Sequence, residues 1–294
     1  MIIVKLMGGL GNQMFQYAVG RRLAHQHGTE LKLDLSFLQN NTEVITVRKF
    51  ELHHLNIAAS IATADEVSEY LLARKSRLQR LLAAAGMRPR RTFLAERHFH
   101  FDPAIMTAPD DCYLEGYWQS ERYFKDIEGP LREEFQVGAA PDRWNLDMAE
   151  QIGKVDSVSV HVRRGDYVAH QAINAYHGTC SLQYYRNAIS TMLDRVPEAR
   201  FFVFSDDLGW VKENLELPGQ TQYMDHNGPE HGCHDLRLMS LCLHNIVANS
   251  SFSWWGAWLG TAPGKIVIAP DKWFNTPDLD TRDLLPDSWL KVPA

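Results

Sequence analysis

The chain alternates strand-like and helix-like segments, and this alternation restricts the fold more than any other feature of the sequence. It opens with "IIVKLMGGLGNQMFQYAVGRRLAHQHG", an apolar run, a glycine turn and a helical stretch, after which "ELKLDL" reads as a second strand. The alternation restarts at residue 157 and continues to the strand-like "KIVIAP". Alternating strands and helices are typical of parallel sheets covered by helices. We therefore expect an α/β protein.

The length favours two domains, because 294 residues are more than one hydrophobic core usually serves. Glycine, alanine and proline in "QVGAAPDRW" indicate a junction near 137–150, and we place domains at 1–145 and 146–294. Thr63 and Glu66 form a capping-box pattern that predicts a helix up to residue 86. In the second half we predict helices over 234–248 and near 253–260.

Charge and cysteine content restrict the partners and the compartment. The net charge of -6 disfavours nucleic-acid binding. Residues 74–97 are the exception, with eight basic residues and one acidic residue, and they predict either a peripheral contact with an anionic membrane or a solvated basic face. We expect a cytoplasmic protein, since the N-terminus lacks a signal-peptide pattern and the cysteines show no C-x-x-C spacing. The four cysteines are Cys112, Cys180, Cys233 and Cys242.

Two adjacent arginines end the strand-like run "SVSVHV". The two-residue period places His161 and Arg163 on one face and the valines on the other. Ligands of open α/β sheets lie beyond the carboxyl ends of the strands, where Arg163, Arg164 and Asp166 fall. Paired guanidinium groups suit a phosphate or diphosphate. An ion pair between Arg164 and Asp166 is the alternative interpretation.

The N-terminal glycine turn also predicts a ligand. Gly9 and Gly11 allow close approach of the backbone, and Asn12 adds a polar side chain at the start of the helix. The turn lacks the ending of a P-loop, and Met14 stands where a dinucleotide fingerprint has its third glycine. Because Asp34 ends the next strand, an NAD-dependent oxidoreductase stays open as an alternative.

Two further segments place polar groups where strands end. Asp206 and Asp207 follow "FVFS", where they predict either a helix cap or a contact with a nucleotide base or ribose. After them, "NSSFSWWGAWLG" places hydroxyls at a helix start, which predicts a phosphate cradle, ahead of tryptophans expected in the core. The cradle residues are Asn249, Ser250, Ser251, Phe252 and Ser253.

The sequence predicts no metal site. His226, His231, Cys233 and His234 are too crowded for standard zinc spacing. The D-x-D pattern at 278–280 lies in a polar tail and does not follow a strand. We expect arginine, not a metal or another cofactor, to neutralise a phosphate.

Taken together, five segments resemble the bacterial α-1,2-fucosyltransferases: "GGLGNQMFQYA", "GYWQSERYF", "HVRRGDY", "FFVFSDD" and "NSSFSWWGAWL". They occur in family order over nearly the whole chain, and the H-x-R-R-x-D element is shared with α-1,6- and protein O-fucosyltransferases. The resemblance implies two Rossmann-like domains facing across a cleft, the GT-B architecture. It also implies GDP-fucose as donor and an inverting, metal-independent transfer to O2 of a terminal galactose.

The resemblance assigns roles to the motif residues. It implies that His161 and either Asp206 or Asp207 contact the guanine or ribose, that Arg163 and Arg164 hold the diphosphate, and that residues 250–253 close around the phosphates. Asn12 would act on the fucose or the leaving phosphate. We expect Asp166 to be the general base or to orient an arginine, and Glu121 is a lesser candidate base. The implied acceptor is a galactose-terminated oligosaccharide or glycolipid-linked glycan, which fits a cytoplasmic enzyme in peripheral contact with the inner membrane face.

Overall fold

A computed structural model describes residues 1–39, 48–75, 91–165, 171–276 and 278–294. The chain divides into two compact units, one of Met1–Phe135 with Asp280–Leu284 and one of Gln136–Leu279 with Leu285–Ala294. The first division precedes the predicted boundary after residue 145, because the helix Arg143–Ile152 packs on the core of the second unit. The return of residues 280–284 to the first unit was not predicted.

The first unit is built on a parallel sheet. Its strands are β1 (Ile2–Lys5), β2 (Leu31–Asp34), β3 (Ser60–Ile61), β4 (Thr92–Ala95) and β5 (Cys112–Glu115). Its helices are α1 (Leu10–His27), α2 (Ser36–Gln39), α3 (Ala64–Lys75) and α4 (Glu128–Glu134), with 3₁₀ turns at Leu52–His54, Pro103–Thr107, Glu121–Tyr123 and Lys125–Ile127. The strand order is β3-β2-β1-β5-β4, so the order reverses between β1 and β5.

The start of α3 confirms the predicted capping box. Thr63 N–H donates to Glu66 Oε2 at 2.8 Å, and Glu66 N–H donates to Thr63 Oγ1 at 3.3 Å. These bonds satisfy backbone donors that the first turn of a helix leaves unpaired. The helix is described up to Lys75. Its predicted continuation to residue 86, and most of the basic stretch 74–97, lie outside the described residues.

The second unit contains a six-stranded parallel sheet. Its strands are β6 (Ser157–Val162), β7 (Arg200–Ser205), β8 (Thr221–Tyr223), β9 (His244–Ile246), β10 (Val267–Pro270) and β11 (Leu290–Val292). Its helices are α5 (Arg143–Ile152), α6 (Gln171–His177), α7 (Leu182–Arg195), α8 (Leu208–Asn214), α9 (Gly232–Leu241) and α10 (Ser251–Leu259), with a 3₁₀ turn at Pro229–His231. The order β8-β7-β6-β9-β10-β11 is the 3-2-1-4-5-6 order of Rossmann sheets. The expected class, α/β with two Rossmann-like domains, is confirmed.

The predicted helix over 234–248 is wrong in its second half. Helix α9 ends at Leu241, and β9 then pairs in parallel with both β6 and β10. Asn245 is buried and donates from Nδ2 to Ser159 Oγ at 2.7 Å, which joins β9 to β6. No glycine or proline marks the change, so only tertiary pairing distinguishes this strand from a continuing helix.

The two faces of β6 differ as the alternation predicts. Its valines pack with Tyr184 and Tyr185 of α7 in a hydrophobic core of the second unit. The opposite face carries Ser157, Ser159 and His161, which are buried. The four cysteines are free and buried. Within the described ranges, no helix is long and apolar enough to cross a membrane.

Candidate functional site

The candidate site lies at the carboxyl edge of the second sheet, where the strand order reverses between β6 and β9. Arg163 and Arg164 follow β6, and residues 249–253 follow β9. Chains leaving the two sides of such a reversal separate to opposite faces of the sheet, and the crevice between them is where α/β proteins bind ligands. The fold therefore brings the arginine pair and the predicted cradle to one edge.

His161 is buried near the carboxyl end of β6, 5% exposed, with its ring 5.7 Å from the ring of Phe252. Burial lowers the pKa of the imidazole to about 4, an effect that Asp206 opposes and Arg163 reinforces. The imidazole is therefore neutral near pH 7. Its Nδ1 is buried and has no hydrogen-bond partner in the described part of the chain. A neutral ring of this kind offers one nitrogen donor and one nitrogen acceptor.

Asp206 bonds to both arginine residues, to the side chain of Arg163 and to the main chain of Arg164. Its Oδ2 lies 3.0 Å from Arg163 Nη1, and its Oδ1 accepts the backbone N–H of Arg164 at 2.9 Å. A Cβ atom on Gly165 would lie 2.4 Å from the same carboxylate, so a side chain at this position would displace it. The sequence predicted that either Asp206 or Asp207 contacts the nucleotide, whereas the structure engages the Asp206 carboxylate with the arginine segment.

Arg164 packs on the face of Trp210, 3.6 Å from the ring centroid. Its Nε lies 3.6 Å from Asp207 Oδ2, and Asp207 Oδ1 accepts the N–H of Trp210 at 3.1 Å. The helix-cap interpretation of Asp207 is therefore confirmed. Asp206 and Asp207 balance the charges of the two arginines, so what the site offers a ligand is a set of oriented guanidinium N–H donors. Asp166 lies outside the described residues, and its role stays a prediction.

The cradle residues after β9 divide into anchors and candidate ligand groups. Asn249 Nδ2 donates to the carbonyl oxygens of His177, Gly178 and Trp273 at 3.0, 3.2 and 3.1 Å, which makes Asn249 an anchor of the loop. Ser250 is the N-cap residue of α10 with no side-chain cap bond, and Ser251 begins the helix. Ser253 Oγ donates to Ser250 O at 3.3 Å. The tryptophans of α10 are in the core, as predicted: Trp254, Trp255 and Trp258.

A carboxylate occupies the helix start at the N-terminal glycine turn. Glu51 Oε2 accepts the N–H of Leu10 at 2.8 Å, in the first turn of α1 after Gly9. Gly11 is buried inside the helix. Asp34 accepts from Tyr113 Oη at 2.6 Å through one oxygen and from a backbone N–H through the other. A dinucleotide needs the helix start for its diphosphate and this aspartate for its ribose, so the geometry disfavours the NAD-dependent alternative.

Asn12 lies at the reversal point of the first sheet. Its Oδ1 accepts a hydrogen bond from Gln119 Nε2 at 2.8 Å, which joins the turn after β1 to the segment after β5. The sequence pattern pointed to Asn12 but not to Gln119, although the place of Gln119 just after a strand was a usable signal. Glu121, the lesser candidate base, forms an ion pair with Lys125 at 2.9 Å.

A second residue that sequence analysis missed is Asp235 of α9. Burial raises the pKa of its carboxyl to about 7, although Asn227 Nδ2 donates to it at 2.8 Å. A Cβ atom on Gly232, at the start of this helix, would lie 3.9 Å from the ring of Phe252. Asp235 is therefore on the helix that borders the aromatic side of the site.

Two residues of the patterns weighed as metal sites, His226 and Asp280, have other partners. Asp142 lies 2.7 Å from His226, and Asp280 pairs with Arg282 and lies 3.6 Å from His100. No group of three or more His, Cys, Asp and Glu suited to a metal ion occurs among the residues with described positions.

Comparison with known proteins gives one family. Residues 94–292 match the model of Glycosyl transferase family 11. An alpha-1,2-colitosyltransferase of Escherichia coli is 34% identical over 302 residues, covering 99% of this chain and 98% of the relative. The O-antigen biosynthesis glycosyltransferase WbnK of Escherichia coli is 32% identical, with 98% of this chain and 99% of the relative covered.

A galactoside alpha-(1,2)-fucosyltransferase 2 of Sus scrofa is 32% identical over 263 residues, covering 87% of this chain and 68% of the relative. Among solved structures, a mutant of Arabidopsis thaliana FUT1 in complex with GDP matches with a TM-score of 0.52 at 11% identity, covering 94% of this chain and 72% of the other. That likeness concerns the fold alone.

Proposed function

The chain belongs to glycosyl transferase family 11, and we propose that it transfers L-fucose from GDP-β-L-fucose to O2 of a terminal galactose. One observation carries the proposal: Arg163 and Arg164 lie at the reversal point of a Rossmann-type sheet, where Asp206 bonds to the Arg163 side chain and to the Arg164 backbone. The relatives named for fucosyl and colitosyl transfer support a sugar of this kind. The α-1,2 linkage in the names of these relatives supports transfer to a 2-hydroxyl group.

The arginines act on the leaving group. Cleavage of the bond between fucosyl C1 and the β-phosphate oxygen leaves the electron pair on GDP, and negative charge develops on that oxygen. Guanidinium N–H groups of Arg163 and Arg164 donate to it, with Asp206 orienting the Arg163 side chain and Asp207 and Trp210 that of Arg164, so no metal is required in this proposal. His161 and Phe252 bind the nucleoside, and the hydroxyls of Ser250 and Ser251 close around the phosphates.

The acceptor hydroxyl needs a base on the face opposite the departing GDP, because a β-linked donor gives an α-linked product. We assign this role to Asp166, whose carboxylate takes the O2 proton as O2 bonds to C1. If Asp166→Asn abolishes transfer but leaves GDP binding intact, Asp166 is the base. If the variant keeps most of its activity while Arg163→Ala does not, Asp166 only orients an arginine.

Colitose is the second candidate donor sugar, because a relative that aligns with this chain over 98% of its length is named as a colitosyltransferase. Full-length protein incubated separately with GDP-fucose and with nucleotide-activated colitose, and with the same galactosides, distinguishes the two. We expect faster transfer from GDP-fucose and a 2-linked product by NMR. Absence of transfer from both donors would contradict the function. Stabilisation against heat by NAD but not by GDP would favour the oxidoreductase.

The acceptor is a galactose-terminated oligosaccharide or a lipid-linked glycan, and a panel of both with linkage analysis identifies it. For a lipid-linked acceptor we propose that the basic residues of 74–97 contact an anionic membrane surface from the cytoplasmic side. Sedimentation with vesicles containing an anionic lipid tests this contact. Binding should weaken as salt is raised, because salt screens surface charges, and equal sedimentation with neutral vesicles would contradict it.

A further inference from the structure

Gln119 is a buried residue that the proposed function does not yet explain. It is 6% exposed, and its Nε2 donates to Asn12 Oδ1 at 2.8 Å. Its Oε1 is buried without a hydrogen-bond partner among the described residues. Burying a carboxamide with one unpaired group carries a desolvation cost, so its presence is not explained by stability. The one side-chain hydrogen bond described for Gln119 is the bond to Asn12.

The backbone around Gln119 is held in an uncommon conformation. Trp118 has a φ of 57°, in the left-handed region that bulky residues rarely adopt. Glu96 accepts the N–H groups of Tyr117 and Trp118 at 2.8 and 2.9 Å, and Ser120 N–H donates to Trp118 O at 2.8 Å. Strained backbone held by several bonds is common at functional sites. These bonds fix the position from which Gln119 reaches Asn12.

The hydrogen bond from Gln119 sets the direction of the Asn12 carboxamide. Because Oδ1 of Asn12 accepts from Gln119, the Nδ2 group is directed away as a donor. A Cβ atom on Gly8 would lie 2.4 Å from this Nδ2, so Gly8 leaves the space that the orientation needs. A carboxamide turned the other way would present an oxygen in place of N–H donors.

We propose that Gln119 is a positioning residue that orients the Asn12 carboxamide, so that its Nδ2–H groups donate to an oxygen of the reacting sugar or the leaving phosphate. The proposal rests on the proposed function for the role of Asn12. A donor that is already oriented stabilises developing negative charge without reorganisation, whereas the opposite orientation places oxygen against oxygen. Gln119 should therefore affect turnover more than donor binding.

Two substitutions separate the donated bond from simple filling of space. Gln119→Met keeps the length and removes the donor, and Gln119→Glu keeps the shape but can only accept, which favours the reversed Asn12 amide. We expect kcat to fall about 10- to 100-fold in both, with the KM for GDP-fucose within about threefold of wild type. In an Asn12→Ala background, Gln119→Met should cause no further loss.

Tyr113→Phe is the matched control, because it removes another buried hydrogen bond of the first unit, the 2.6 Å bond to Asp34. It should lower Tm and leave kcat unchanged. Normal kcat in Gln119→Met, or losses that multiply in the double variant with Asn12→Ala, would overturn the proposal.

A wild-type protein inactive with every donor would contradict the proposed function, and a spectroscopic measurement then decides the positioning role by itself. The Asn12 side-chain amide signal in a ¹⁵N–¹H spectrum, identified by its loss in Asn12→Ala, should shift in Gln119→Met. An unchanged signal would overturn the positioning role.

Discussion

The guanidinium of Arg163 lies 3.0 Å from the carboxylate of Asp206, at the ends of the neighbouring parallel strands β6 and β7. Asp206 also accepts the backbone N–H of Arg164. One carboxylate therefore fixes a side chain and the adjacent main chain. The arginine pair is oriented before a ligand arrives, so less free energy is lost in ordering it when a diphosphate binds.

Removing either arginine should lower the rate of sugar transfer strongly and the stability of the fold only slightly. We expect Arg163→Ala and Arg164→Ala each to lower kcat by about 10²- to 10³-fold, the scale for losing a donor to a developing oxyanion. Initial rates at saturating GDP-fucose measure the effect. Arg195→Ala, at an exposed position near the end of α7, is the control and should have normal activity. Near-normal rates in both test variants, with folding verified, would exclude a role at the diphosphate.

A methyl group at Gly165 should disturb the same arrangement without touching an arginine. The added Cβ would lie 2.4 Å from Asp206 Oδ2, so Gly165→Ala should displace the carboxylate and lower kcat by roughly 10-fold or more. Gly209→Ala is the control, because nothing lies within 4 Å of the corresponding Cβ and alanine favours the helix α8. Equal activity in the two variants would contradict the importance of the Asp206 position.

The arginine site was partly predictable from sequence because its determinants are local. The two-residue period of β6 identifies its faces, and the end of the strand locates Arg163 and Arg164. The partner of Arg163 was not predictable, since Asp206 reaches it only through the pairing of β6 with β7. The helical expectation for β9 failed for the same reason.

The glycine turn shows the opposite case, in which a local pattern suggested more than the structure provides. Gly9 and Gly11 predicted a nucleotide, but the helix start already holds the Glu51 carboxylate. Glu51 is distant in sequence from this turn, and no spacing rule connects them. Asn12, the side chain that a plain turn does not require, bonds to Gln119, and its role toward a ligand stays a prediction.

Acidification should destabilise the protein partly through His161. Burial lowers its folded pKa to about 4, below the ordinary 6.5, so the unfolded chain binds more protons between these values. The free energy of unfolding therefore falls as pH decreases through this window, by about 2 kcal/mol at about pH 5. His161→Gln removes the titrating group. Its Tm should fall less than that of wild type between about pH 7.5 and about pH 5, and an equal fall would show that His161 does not titrate this way.

Asp235 should give a pH effect of the opposite sign. Burial raises its folded pKa from 3.8 to about 7, so the folded state binds the extra proton between these values. Stability is therefore lost as pH rises through that window. Asp235→Asn keeps an acceptor for Asn227 and removes the ionisation. Its Tm should exceed that of wild type at about pH 8, where the free energy of unfolding is higher by up to about 4 kcal/mol, and match it at about pH 4. An unchanged or lower Tm at the higher pH would contradict the raised pKa of this buried carboxyl.

Gly8 and Gly28 separate backbone strain from displacement of Asn12. Both have left-handed φ values, 76° and 61°, so alanine should lower Tm at either position. Only at Gly8 would the added Cβ meet Asn12 Nδ2, at 2.4 Å, whereas nothing lies within 4 Å at Gly28. We therefore expect Gly8→Ala to lower kcat roughly 10-fold or more and Gly28→Ala to leave it unchanged. Steady-state rates measure this. The effect of Gly8→Ala should disappear when Asn12 is already alanine, because the methyl group then has no carboxamide to displace; a loss that persists in that background would assign the effect to the backbone of the turn.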